Sequence, residues 1–346
     1  MAYTTINKSS DHFNTVQWTG NASTNAITGV GFQPDWVWGK SHTSGYSHQI
    51  YDVLRGATYS IKTASSGNNA QETLSSGLTS FDSDGFTLGS NTNINASGHT
   101  VTGWNWKAGG SGSSNSDGSI SSTVSVNTTA GFSIATYTGT GASSGTATVG
   151  HGLGAVPQVV IQKRATGSGQ NWHVYHSAVG NGSALILNDT QAANTQTDYW
   201  GDTTPTSSVV TIGPNNLSTG TNVLYCFAEK KGFSKFGSFT GNGIADGPFV
   251  YTGFKPAWVM IKASSRSTDN WVIVDSKRST SNVADSALLA NTTGGIDIGY
   301  KRDFLSNGFK IRESGANQNG SGHTFTYMAF AEEPLVGSNN IPATAR

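Results

Sequence analysis

One apolar pattern occurs three times in this sequence. GVGFQPDWVWGK, GHGLGAVPQVVIQK and YTGFKPAWVMIK end at Lys40, Lys163 and Lys262, and in each a proline (Pro34, Pro157, Pro256) stands six positions before the lysine. An aromatic-Thr-Gly motif lies upstream of each: FNTVQWTG from Phe13, FSIATYTG from Phe132 and FSKFGSFTG from Phe233. A Gly-rich turn and an aromatic strand close each unit: SGHTVTGWNWK from Ser97, STGTNVLYCFAEK from Ser218 and SGHTFTYMAFAEE from Ser321. A period of about 100 residues exceeds the 20–50 of solenoid repeats and fits tandem copies of one small domain.

The units read as short strands separated by turn residues, with no helical periodicity lasting three turns. Expected strands in the first are Phe13 to Trp18, Asp35 to Gly39, Gln49 to Asp52, Tyr59 to Lys62, Phe86 to Leu88 and Val101 to Trp106. Trp36 and Trp38, like Trp104 and Trp106, lie two apart and share a sheet face, which calls for an opposing sheet. The expected fold is all-β: three tandem β-sandwich, jelly-roll-like domains at 13–107, 119–231 and 232–333. A polar arm (1–12) precedes them and a polar tail (334–346) follows. AGGSGSSNSDG at 108–118 reads as a flexible Gly/Ser linker. The alternating Ile120, Ser122, Val124 and Val126 predict an extra strand in the second unit. On this reading units two and three pack rigidly and unit one is placed more independently.

Composition narrows the function classes. Charged residues are 12%, formal net charge is zero and no basic run appears, so phosphate neutralisation of a nucleic acid has no candidate residues. No apolar window approaches the ~20 residues of a membrane span, and the first residues lack the pattern of a secretory signal. Cys226 is the single cysteine, which excludes a disulfide framework and a cysteine zinc site. It reads as a small buried apolar residue. Sequons at Asn21, Asn95, Asn127, Asn181, Asn188, Asn216, Asn291 and Asn319 read as by-products of polar turns.

Several residues invite a chemical reading. Lys40, Lys163 and Lys262 at matched positions could form isopeptide bonds; the preferred reading is a strand-end lysine whose stem covers apolar surface and whose ammonium reaches water. Asp52 with Arg55 and Asp275 with Arg278 share one spacing, where the second unit has His176 and Val179. They read as turn-stabilising ion pairs, worth little if exposed. Asp82-Ser83-Asp84-Gly85 resembles the start of a calcium loop but lacks further acids, and reads as a tight turn. His99 and His323 follow matched glycines as parts of a repeated turn. Trp172 and Trp271 fall at equivalent places, with His48 in the first unit; they are the best candidates for stacking on glycans, against a core-filling reading. No nucleophile elbow, phosphate loop, metal-ligand cluster or cofactor motif is present, and no catalytic, cofactor or metal residue is assigned.

The runs VGFQPDWVWGK, LTSFDSDGFTLGSN, WKAGGSGSSNSDGSISSTVSVNTTAGFSIATYTGTG and GFSKFGSFTGNGIADGPFVYTGFKPAWVMIK resemble a family of tailed-bacteriophage virion proteins found in marine phages and cyanophages, over roughly Phe13 to Glu333. The resemblance implies a β-rich, non-enzymatic structural component of the virion, in a tail fibre, tail tip or receptor-binding apparatus, assembled in the bacterial cytoplasm. Capsid decoration is an alternative, and lectin-like modules holding a host glycan are a further one. Its expected partners are other virion proteins, copies of itself as a homo-oligomer with a trimer favoured, and a host surface glycan, with neither nucleic acid nor membrane insertion.

Overall fold

The computed structural model describes residues 4–64 and 70–336. The chain is all-β, and one strand order recurs in its three large antiparallel sheets. In each unit an opening strand (Phe13–Thr19, Phe132–Gly139, Ser234–Thr240) pairs with the closing strand (Thr100–Trp106, Gly220–Phe227, Thr324–Pro334). The closing strand pairs in turn with the strand that carries the repeated lysine (Trp36–Ser41, Val159–Arg164, Phe254–Ala263). A fourth strand (Gln49–Asp52, His173–His176, Val272–Asp275) and a fifth (Tyr59–Lys62, Ser183–Ile186, Leu288–Leu289) complete the common sheet. A two- or three-stranded sheet lies over one face of each. Among the described residues no helix is long and apolar enough to cross a membrane.

The glycine of each aromatic-Thr-Gly motif has a steric cause. A Cβ on Gly20, Gly139 or Gly241 would meet the carbonyl oxygen of Ala96, Ser218 or Gly320 at 2.1, 1.9 or 2.4 Å. Those carbonyls belong to the Gly-rich turn that precedes the closing strand. The two sequence motifs therefore recur together because one packs backbone-to-backbone on the other.

Both faces of each large sheet are buried. The residues between the paired tryptophans and their counterparts, such as Val37, Val160 and Val259, face the small sheet of their own unit and form three local cores. Trp36, Trp38, Trp104 and Trp106 face the other way, into a single core with Ile134, Ile161, Tyr225 and Phe227 of unit two and Trp258, Met260, Met328 and Phe330 of unit three. Trp106 stands 5.7 Å from Trp258 and 5.5 Å from Phe330, and Trp36 stacks on Tyr225 at 4.8 Å, centroid to centroid. The sheets that cover the tryptophans thus belong to the neighbouring units.

The three units close a ring. The main-chain N–H of Gln71 donates to Ala165 (2.7 Å), that of Ala193 to Ser264 (2.9 Å) and that of Ile296 to His42 (3.0 Å). These are matched positions, so unit one joins two, two joins three and three joins one by the same bond. A head-to-tail contact that closes after three copies is a cyclic arrangement, built here within one chain.

This arrangement corrects three expectations. Unit one is seated between the other two by the same seam as the rest and is not independently placed. The linker is structured: Ser113–Asn115 pairs with Ser122–Asn127, which confirms the extra strand and adds another. Gly112 sits at φ +77°, where a Cβ would be 2.7 Å from the Leu54 side chain of unit one. The N-terminal arm is packed too, with Ile6 in the shared core and Thr4 Oγ1 donating to the Lys231 carbonyl at 2.6 Å. Residues 1–3 and 337–346 of the expected arm and tail lie outside the described residues.

Candidate functional site

The polar residues singled out by the sequence converge on the three seams. Asp52 is fully buried; its Oδ1 accepts from the main-chain N–H of Leu54 and Arg55, and its Oδ2 accepts from Arg55 Nε at 2.5 Å and from the Tyr225 hydroxyl of unit two at 2.6 Å. Asp275 repeats the pattern. Its Oδ1 accepts from Lys277 and Arg278 N–H, and its Oδ2 accepts from Arg278 Nε at 2.6 Å and from Trp104 Nε1 of unit one at 2.9 Å. Tyr225 and Trp104 occupy the same position of their closing strands, and both present a donor. The matched residue of unit three is Met328, which has none. There the partner site holds His176, whose Nδ1 accepts from Ala178 N–H and whose Nε2 therefore donates to the Tyr327 carbonyl at 3.1 Å. Acid and arginine appear where the neighbour offers a donor, and histidine and valine where it does not.

The ion pairs hold their turns as expected and, being buried, also connect units: the side chains of Asp52 and Asp275 are 0% exposed and those of Arg55 and Arg278 are 1%.

Trp172 and Trp271 are 1% and 3% exposed and cannot stack on a sugar. Their indole N–H groups donate to the Lys62 and Ile186 carbonyls of the preceding unit at 2.9 and 2.8 Å. His48 completes the ring. Its Nδ1 accepts from Trp38 Nε1 at 2.9 Å, so the imidazole N–H is on Nε2 and donates to Leu289 of unit three at 3.0 Å. The pairs Trp38–His48, Ile161–Trp172 and Met260–Trp271 show how volume is conserved: a large residue on the lysine strand goes with the smaller ring on its neighbour.

The three lysines are buried to their ammonium groups, against the expectation that these reach water. Lys40 is 0%, Lys163 1% and Lys262 0% exposed. Lys40 donates to the Ser41 carbonyl, Lys163 to that of Gln170, and Lys262 to those of Asp269 and Thr190, the last across a seam. All of these acceptors are main-chain oxygens; Lys163 and Lys262 clamp loops, whereas Lys40 bonds the last residue of its own strand. Burial pulls the lysines down, to about 8 for Lys40 and Lys262 and about 7 for Lys163.

Burial also pulls six imidazoles down: His42, His173 and His176 to about 4, His48 well below its ordinary value, and His12 and His151 in the same direction. Between pH ~4 and 6.5 the unfolded chain binds protons that the folded chain refuses, so stability is lost as pH falls through this window. Glu313, raised by burial to about 7, and Asp35 and Asp269, also raised by burial, act in the opposite direction. Six imidazoles against three carboxyls predict a thermal midpoint that drops from pH 6.5 to 4. A flat midpoint across that range would show that the imidazoles are not buried neutral.

The remaining candidates resolve as architecture. Asp84 accepts from Gly29 and Gly31 N–H at 3.0 and 2.6 Å, and Asp82 from Thr87 Oγ1 at 2.7 Å, which is a turn and its anchored loop. The His99 and His323 carbonyls accept from Gly20 and Gly241. Among the described residues no group of His, Cys, Asp and Glu could hold a metal. Cys226 is buried in the unit-two core, its thiol pushed up to about 12. Sequence reasoning missed the role of Asn95, Asn216 and Asn319, which are matched and 0% exposed. Asn95 Nδ2 donates to the Ser23 and Gly89 carbonyls, and Asn319 Nδ2 to those of Ile244 and Glu313. The signal was present as three sequons at equivalent places.

Two of the concavities among the described residues flank the third unit. One of about 180 Å³ lies on the seam of units one and three, lined by Phe13, Thr15, Ala257 and Glu332 among others. The other, about 530 Å³, is an open groove lined by Glu229, Lys231, Ser234, Lys235, Tyr251 and Thr252. Each lining includes a single carboxylate.

No curated protein and no solved structure matches the chain. A family model, described as a domain of unknown function (DUF7483), matches residues 8–334. That span takes in all three units and the linker as one match, as the closed ring does, and the chain belongs to this family.

Proposed function

We propose that the protein is a non-enzymatic structural component of a phage particle, seated in the tail fibre, tail tip or receptor-binding apparatus and contacting the host surface. The observation that carries this reading is the closed threefold ring around one aromatic core: the buried ionisable groups serve as connectors between units, and the sequence spends its chemistry on a rigid body. Two further features support it. The concavities beside the third unit have one carboxylate each, whereas glycan hydrolysis uses two set ~5–9.5 Å apart, and the surface is low in charge, as suits a part that works outside the cell. Assembly in the host cytoplasm agrees with the single buried cysteine.

The ring suggests how the expected homo-oligomer would be built. Threefold symmetry that a homotrimer would supply is already present in one chain, so self-association of the virion part would proceed through the ends of the ring. A threefold body equally suits a head-decoration protein at a threefold position of the shell. Gold-labelled antibody on intact particles decides between them. Label at the tail is the expected result; label over the head would transfer the protein to the shell, and unlabelled particles would end the virion reading.

A further inference from the structure

The three units permit an internal comparison that separates what the fold needs from what it does not. The edge strand of each small sheet carries one inward residue, Ile27, Val149 or Val250, buried at 6%, 0% and 6% exposure against Phe86, Val210 and Phe309. The residues on either side of it lie on the opposite face of the strand. In unit one they are the exposed Ala26 and Thr28; in unit two they are the half-buried Thr148 and the buried Gly150, covered by the 113–120 segment, with a Cβ on Gly150 meeting Asn115 at 1.7 Å and Ile120 bridging to Val149. In unit three they are Phe249 and Tyr251, 46% and 55% exposed. In unit one the same strand forms with this face open and without rings, so the sheet itself does not require them.

The two rings lie on one face of the strand, with Cα atoms about 6.8 Å apart by strand geometry. Polar groups flank both. Phe249 pairs across the sheet with Lys310, whose ammonium holds Asp246 at 2.6 Å. Tyr251 forms one wall of the 530 Å³ groove, with the Glu229–Lys235 pair (2.9 Å) and the residues Ser234 and Thr252 beside it. An exposed ring beside fixed donors and acceptors suits a ligand that is apolar on one face and hydroxylated at its edges. Two rings make too small a patch for a stable protein interface, which needs roughly 1,000 Å² or more. The centre of such an interface is also depleted of charge, unlike this groove.

We infer that Phe249 and Tyr251 form a carbohydrate-binding platform on the third unit, stacking on pyranose rings while the groove beside Tyr251 bonds their hydroxyls. The site deepens the host-contact reading and rests on it for the source of the sugar, yet the two fail separately: particle labelling reports location, and sugar binding by the purified chain reports the site.

The test uses the full chain on an array of bacterial O-antigen and capsular polysaccharides, with calorimetric titration of the strongest binder. Tyr251→Phe keeps the ring and should retain most of the affinity. Tyr251→Ser should weaken binding by about tenfold or more, and Tyr251→Ser with Phe249→Ser should abolish it. Thermal midpoints should stay at the wild-type value, because both side chains are exposed. Failure of the wild-type chain to bind any of these polysaccharides would overturn the proposal. So would undiminished binding by the double variant, or a concentration-dependent self-association that the double variant loses, which would identify the rings as a docking surface for protein.

Discussion

A chain ended at Lys231, comprising units one and two, is expected not to fold cooperatively. The third unit contributes Trp258, Met260, Trp271, Ile273, Met328 and Phe330 to the shared core. Truncating one large buried side chain costs roughly 2–5 kcal/mol. Losing six such contributors together exceeds the ~5–15 kcal/mol by which folded domains of ordinary stability persist. The two remaining units would expose Trp104 and Trp106 and leave the donors Trp104 Nε1 and His48 Nε2 without their acceptors on unit three. Far-ultraviolet dichroism should show no sharp thermal transition, and a dye for exposed apolar surface should bind strongly. A fragment that melts sharply, at a midpoint near that of the whole chain, would show instead that the units are independent domains. In the intact chain the same argument predicts one transition, with probes in all three units moving together.

Arg55→Val should destabilise the protein by roughly 3–5 kcal/mol, because it leaves the Asp52 carboxylate buried without its countercharge. The chain itself contains the compensated alternative. His176 and Val179 fill the matched positions in unit two and are held by main-chain groups. Asp52→His combined with Arg55→Val should therefore be more stable than Arg55→Val alone, and adding Tyr225→Met should recover more by removing a hydroxyl that has lost its acceptor. Denaturant unfolding of the three variants measures this order. A double variant no better than the single one would mean that the histidine node depends on surroundings unit one lacks.

Much of the strand pattern was legible because turn residues and β-rich runs alternate so regularly; Gln49–Asp52 and Tyr59–Lys62 begin and end where the sequence placed them. The direction of the tryptophans was not. Period-2 alternation tells which residues share a face without telling what that face meets, and a covering sheet from the same unit was the simpler inference. A sign of the truth lay in the lysine strands. Trp36-Val37-Trp38, Val159-Val160-Ile161 and Trp258-Val259-Met260-Ile261 are apolar at every position, as strands buried on both faces are, where a sandwich with one wet face would alternate with polar residues. The depth of Lys40, Lys163 and Lys262 was hidden for a different reason. A lysine after an apolar run ordinarily ends in solvent, and only the buried main-chain carbonyls that take these three ammonium groups make the exception. Glycine content misled at 108–118, since close packing needs glycine as much as flexibility does.

The seam between the third unit and the first has a kinetic consequence. Its contacts, such as Ile296 with His42 and Trp104 with Asp275, join residues far apart in sequence, and loops that long close slowly. During synthesis the first unit emerges with its tryptophan face uncovered and must keep it from other chains until the last strands leave the ribosome. The early chain is therefore a natural client for a chaperone, and the yield of native protein should depend on how quickly the final third is translated.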